Sequence, residues 1–226
     1  MSVQKNLYSL GEEIFNSVSH GAGALLSVAG LVVLVVVAAI NGNAWSVVSS
    51  AIYGSSLVIL YTMSTLYHSI TNPTAKKVFR IFDHSTIFLL ISGTYTPITL
   101  VGIRAIDKPL AWTIFGILWG LTAIGIVFNS INLEKYKRFS LICYIIMGWL
   151  VVLAVKPLII DPIKQGSDFP FPVPGMIFLL IGGIFYTVGI IFYKMKSHKY
   201  MHSIWHLFTI AGSVFHYFAI LFWVIK

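Results

Sequence analysis

The sequence predicts an all-α protein: a polytopic bundle of seven transmembrane helices forming one domain, with the N-terminus in the cytoplasm and the C-terminus outside. Three observations lead there. Charged residues make up 10% of the chain and hydrophobic ones 58%, with a mean hydropathy of +0.88. A soluble domain carries about 25% charged residues, so this chain cannot cover its surface with water-compatible groups and lipid must be its solvent. Its charge-free windows match the roughly 20 residues that cross about 30 Å of hydrocarbon. Its Lys and Arg fall unequally on alternate connections, the asymmetry that sets orientation.

The elements follow in order. Between Glu13 and Lys76 no Asp, Glu, Lys or Arg occurs, a stretch too long for one span. Asn41-Gly42-Asn43 is its strong turn signal, which gives helices at 18–40 and 44–69. The later charge-free windows give helices at 82–103, 109–130, 139–160, 174–194 and 200–225. The fifth needs Lys156 to snorkel toward the headgroups so that Pro157 to Ile160 extend its apolar surface. Pro97 should kink the third helix. The prolines between Asp168 and Pro174 read as a stiff outer loop, and Gly116, Gly120, Gly182 and Gly183 as places of close helix contact. Nothing resembles a cleaved signal peptide, since Glu12 and Glu13 precede an apolar run longer than such a segment uses.

With seven spans the basic residues sort into two sets. Lys5, Lys76, Lys77, Arg80, Lys135, Lys137, Arg138, Lys194, Lys196 and Lys199 share one side; Arg104, Lys108, Lys156, Lys164 and Lys226 share the other. The richer set marks the cytoplasm. Trp45, Trp112 and Trp223 then fall near the outer interface, where indoles prefer to sit. The net charge of +8 is thereby a topology signal, and no nucleic-acid partner is expected.

Candidate chemistry comes from polar groups that this topology brings to one depth. A single cysteine, Cys143, excludes an intramolecular disulfide and a thiolate-rich metal site. Histidine is the plentiful soft ligand. His202 and His206 stand at i and i+4 on one helical face, a spacing that can chelate a metal. His68, at the cytoplasmic end of the second helix, could supply a third nitrogen, and three protein ligands with a water in the fourth place are the open arrangement of a catalytic zinc. No Glu neighbours His202, so a general base must come from elsewhere; Asp83, at the start of the third helix, is the candidate. Ser64, one turn before His68, would hold or orient the water. The bland alternatives are interfacial polar packing for the histidines and, for Asp83, a helix cap or a pair with Arg80 or Lys77. Glu13, Asn16 and His20 reach the same depth, though Glu13 and Asn16 also suit an ordinary cap. His216 lies about 15 Å deeper than His206, which suits a mid-membrane hydrogen bond or a substrate pocket. His84 and His198 read as non-ligands.

Taken together, Glu13-x-x-Asn16-x-x-x-His20, Ser64-x-x-x-His68 with Asp83, and His202-x-x-x-His206 with His216 resemble the hemolysin III group of the progestin and adipoQ receptor superfamily, adiponectin receptors included. The resemblance covers nearly the whole chain. It implies an intramembrane zinc ion on the positions of His68, His202 and His206, water held by those of Asp83 and Ser64, and a cytoplasmic N-terminus. It also implies a bacterial plasma-membrane protein, since the short termini resemble the bacterial branch and offer a hormone-receptor role nothing to act through. The leading expectation is a zinc-dependent hydrolase of a lipid amide or ester, ceramidase-like, whose acyl-chain substrate enters from the membrane. The alternatives are a non-enzymatic sensor of membrane state, a hemolysin-like lytic protein with structural zinc, and a proton-linked transporter.

Overall fold

The structure, a computed structural model, describes residues 8–154, 173–195 and 197–225. The expected extension of the fifth span and most of the proline-rich loop lie outside these residues. The helices are α1 (Leu10–Asn41), α2 (Ala44–Ser69), α3 (Pro73–Pro97), α4 (Lys108–Trp149), α5 (Val173–Lys194) and α6 (Met201–Trp223). All six are long and apolar enough to cross a membrane, and the described residues contain no strand.

Capping chemistry sets the helix starts. Ser9 and Glu12 form a reciprocal capping box that opens α1 at Leu10, well before the expected 18. Asn43 accepts from the N–H groups of Trp45 and Ser46, so the Asn41-Gly42-Asn43 turn stands where the sequence places it. Asn72 caps α3, with Pro73 in its first turn. The third helix thus begins at Pro73 and not at 82. Asp83 therefore lies inside α3, and the helix-cap reading of this residue is removed. After Pro97, which lacks the N–H that helix winding needs, the chain widens into a π-helical turn at Ile98–Gly102 and tightens into a 3₁₀ turn at Ile103–Ala105.

The sequence separates two helices at 109–130 and 139–160, whereas helical winding runs through Lys108–Trp149 with one extended residue, Asn132 (φ −160°, ψ 92°). The Asn132 side chain accepts the N–H of Lys135 at 3.0 Å, capping a new helix at once, which is why 133–138 is helix and not loop. Two contacts reveal the fold-back. The Trp119 indole donates to Thr96 Oγ1 at 3.2 Å, and Tyr95 Oη donates to the Gly148 carbonyl at 2.8 Å. In a straight helix residues 119 and 148 would be roughly 40 Å apart, yet both meet one level of α3. The arms 108–131 and 133–149 therefore run antiparallel, joined by Phe128 stacked on Tyr136 and by the Ser140 hydroxyl on Asn129 Oδ1 at 2.8 Å.

The bundle is apolar outside and polar within. Leu25, Val32, Ile40, Ile117, Ile124 and Ile191 face outward, while Ser49, Ser64, Ser92, Thr96, Asn129 and His206 are buried. With lipid as solvent the apolar effect does not drive helices together; close packing and interhelical hydrogen bonds do. At one end Trp45 packs against Trp112 and lies under Arg104, 4.1 Å from ring centroid to guanidinium. The histidines gather at the other. Gly116, Gly120 and Gly183 face open space, so none of them serves a contact within the bundle; Gly182 does, because any side chain there would overlap the His216 ring.

Candidate metal centre

Two helix ends converge. His68 sits in the last turn of α2, and His202 and His206 in the first two turns of α6. All three are buried, and each offers a ring nitrogen within 4.8 Å of the other two. The Nε2 atoms of His202 and His206 are 3.1 Å apart. Two ligands of a tetrahedral zinc with Zn–N near 2.0–2.1 Å would be separated by about 3.3 Å, so this pair already has nearly the spacing of metal ligands. His68 Nε2 is buried with no hydrogen-bond partner, a state that costs free energy unless a ligand meets it. Donor chemistry, burial and spacing all fit a zinc-type cation.

The first turns of α1 supply the support. Glu13 Oε2 lies 2.5 Å from His68 Nδ1, and its other oxygen pairs with Lys76 at 2.9 Å. A carboxylate on one imidazole nitrogen fixes the tautomer and leaves the other as ligand; here the free nitrogen is Nε2, buried and without a partner. Asn16 Oδ1 accepts from Ser203 Oγ at 2.6 Å, gripping α6 between its two histidines. His20 stacks on His206, ring centroids 3.5 Å apart. Glu13 and Asn16 are therefore not the cap of α1, a task that falls to Ser9 and Glu12.

Asp83 is buried, with Oδ2 3.4 Å from His84 Nδ1. Arg80 pairs instead with Glu134 at 2.6 Å. Ser64, one turn from His68, lies beside Asp83, its Oγ buried and without a well-formed hydrogen bond. Asp83 is not a member of the three-histidine cluster.

The haemolysin-III related family model matches residues 8–217, a span that contains every residue of this site. The chain belongs to that family. It is similar to Hemolysin-3 of Bacillus cereus, 43% identical over 95% of this chain and 92% of that one. Similarity extends to the Hemolysin-3 homolog of Bacillus subtilis (strain 168), 41% identical over 97% of this chain and 98% of the relative. The human monocyte to macrophage differentiation factor is 27% identical over 92% of this chain and 83% of its own. A multi-pass membrane protein is what both the family and the apolar helices require.

In this haemolysin-III related chain the cluster opens on a cavity of about 140 Å³ bounded by α3, the second arm of α4, α5 and α6. His20, Asp83 and His202 line one end, Ile87, Leu90 and Ile145 the wall, and His216 the far end. The His216 Nε2 meets the Leu179 carbonyl at 3.0 Å, so the structure places this residue away from the three-histidine cluster. His84 also lines the cavity without joining the cluster.

Sequence reasoning missed two contributors. Glu12 caps α1 with one oxygen and with the other accepts the N–H of Tyr200 at 2.8 Å, fastening α1 to the residue before α6. Tyr200 has φ 63°, rarely adopted by a non-glycine residue. Tyr8 stacks on His202, centroids 4.7 Å apart. The Ser9-x-x-Glu12 capping box was the available signal for the first; nothing in the sequence singles out Tyr8.

Proposed function

We propose that this protein is a zinc-dependent intramembrane hydrolase of a lipid amide or ester. It would cross a bacterial plasma membrane seven times, the two arms of α4 counting separately, with its N-terminus in the cytoplasm. The observation that carries the reading is the junction of three buried imidazoles, an adjacent buried carboxylate outside their cluster, and an apolar cavity leading away from both. A structural zinc needs no such cavity and no reserve carboxylate.

His68, His202 and His206 would hold the metal, with Glu13 orienting His68 and Asn16 holding α6 in place. When bound, zinc acts as a Lewis acid and lowers the pKa of a water toward about 7. Asp83 would take the proton from that water and return it to the leaving group, while the Ser64 hydroxyl orients the water toward the scissile carbonyl. The apolar wall between Asp83 and His216 would receive an acyl chain, and burial of the site excludes bulk water.

The test is direct. Purified protein should contain about one zinc per chain and should cleave an acyl amide or ester in mixed micelles, with activity lost on chelation and restored by zinc. Zinc that stays bound while no acylated lipid is cleaved would favour a non-enzymatic role. That second reading draws on the relatives' hemolysin name, and release of dye from intact vesicles on adding the protein would support it. For orientation, probes on cysteines placed at Lys77 and Gly42 in a Cys143→Ser background should label from the cytoplasm and from outside respectively.

A further inference from the structure

The end of the cavity nearest the histidines carries more than a proton acceptor. His84 and Lys137 both line it, and Asp83 is the one acid among the described lining residues. Lys137 Nζ gives one bond to Glu134 Oε2 at 2.6 Å, and Arg80 takes Glu134 Oε1 at 2.6 Å. Glu134 is thus shared by two cations, and the Lys137 ammonium, with three N–H groups, has donors left to give. His84 commits Nδ1 to the Arg80 carbonyl at 3.0 Å, so Nε2 is its remaining nitrogen. One α3 turn and the Glu134 bridge therefore hold a Lys and a His together where the cavity meets the charged edge of the bundle. Farther in, the wall turns apolar at Ile87, Leu90 and Ile145.

We propose that Lys137 and His84 form a binding site for the phosphate of a lipid headgroup, and that the lipid handled here is a phosphate-bearing, acyl-chain amphiphile. This rests on the hydrolase reading for the cavity's purpose and deepens it by naming the substrate class. An ammonium donating to a tetrahedral oxyanion gives charge-assisted hydrogen bonds, the strong kind, and an imidazole whose Nδ1–H is given to a carbonyl can accept at Nε2 from a P–OH of the phosphate. A chain directed from that point toward His216 passes Asp83 and the histidine cluster, so a bond near the headgroup comes to the proposed chemistry. A general excess of positive charge at a cytoplasmic interface would attract anionic lipid too, but it would not distinguish Lys137 from a neighbour outside the cavity.

The test uses ligands without a cleavable acyl bond, so it reads binding whether or not the protein is a hydrolase. An alkylglycerol phosphate, an alkylglycerophosphocholine and an uncharged alkylglycerol are titrated into detergent-solubilised full-length protein. The phosphate monoester should bind tightest. Lys137→Gln should weaken it about tenfold with little effect on the uncharged lipid, and Lys135→Gln, which removes the same charge two residues away, should leave all three affinities unchanged. His84→Gln should show a smaller loss. Inorganic phosphate at millimolar concentration distinguishes the sources: the site takes phosphate with its chain if the amphiphile stays bound, and free phosphate as well if it is displaced. Equal affinity for the phosphate monoester and the uncharged alkylglycerol, or equal losses in Lys137→Gln and Lys135→Gln, would overturn the proposal. A failed hydrolysis assay alone would not.

Discussion

Two regions of this bundle bury polar groups and treat them in opposite ways. Through the middle of the helices one set of hydroxyls satisfies itself: Ser27, Thr94, Thr96 and Thr99 each donate to a carbonyl one turn back in their own winding, at 2.7–2.9 Å, although Ser49, Ser50 and Tyr53 on α2 have no such bond. Around the histidines the bonds cross the fold. Glu13 reaches His68, Ser203 reaches Asn16 and the Tyr200 N–H reaches Glu12, while His20, Ser64 Oγ and His68 Nε2 have no well-formed hydrogen bond. A hydroxyl bonded to its own helix can be buried at little cost and carries no information about a ligand. A polar atom that waits for a partner, held by groups from two other helices, is costly in lipid and marks where the protein spends stability on function.

Breaking the crossed region at its centre should have the largest effect. His202→Ala leaves two nitrogens in the cluster, which hold zinc poorly, so metal analysis should find most of the zinc gone while circular dichroism still reports a helical protein. Retention of full zinc by His68→Ala/His202→Ala/His206→Ala would eliminate this site. Next comes Asp83→Asn. Because Asp83 lies within α3 and its neighbour Arg80 is engaged by Glu134, the change removes a proton acceptor and no cap. Zinc content should stay near that of the unaltered protein while hydrolysis falls by about 10²–10⁴-fold. Loss of zinc in this variant would instead make Asp83 a fourth ligand and the site a closed, structural one.

The two regions also differ in how legible they were. Spacing on one helix gave the His202/His206 pair, and topology put His68 and Asp83 at their depth, because helices entering and leaving at one interface must present their ends together. Partnerships across the fold were not legible: Glu13 and Asn16 fit a local cap as well as a distant contact, and only packing shows that Ser9 and Glu12 had taken the cap. Helix starts were misplaced for a related reason. Charge-free windows find where lipid begins, whereas Asn72-Pro73 and Ser9-x-x-Glu12 determine where winding begins. The break in α4 was expected as a charged loop, but one extended residue, Asn132, reverses the chain and recaps it.

The support from α1 sharpens the comparison at intermediate scale. Glu13→Gln keeps the shape but weakens the acceptor that orients His68, and loss of such an outer partner commonly costs 10–100-fold in metal affinity. Competition with a zinc chelator should show that loss, and Glu13→Asp should recover part of it. If Glu13 merely anchored the α2–α3 connection through Lys76, Lys76→Met would reproduce the defect in full. It should produce much less, since the His68 contact survives.

The smallest effect belongs to the self-satisfied region, on the same helix. Ser27 lies two turns beyond His20 and donates to the Gly23 carbonyl at 2.7 Å. That carbonyl also accepts the backbone N–H of the helix, so Ser27→Ala leaves no orphaned acceptor, and such hydrogen bonds inside membrane proteins average about 0.6 kcal/mol. A melting curve should shift by only a degree or two and zinc affinity should not change. The contrast with Glu13→Gln is the real test, because both substitutions remove one polar function from α1 and differ in whether the partner lies on that helix or on another. Should Ser27→Ala lower zinc affinity as Glu13→Gln does, burial on α1 and not reach across the fold would be what the metal centre depends on, and the division drawn here between the two regions would fail.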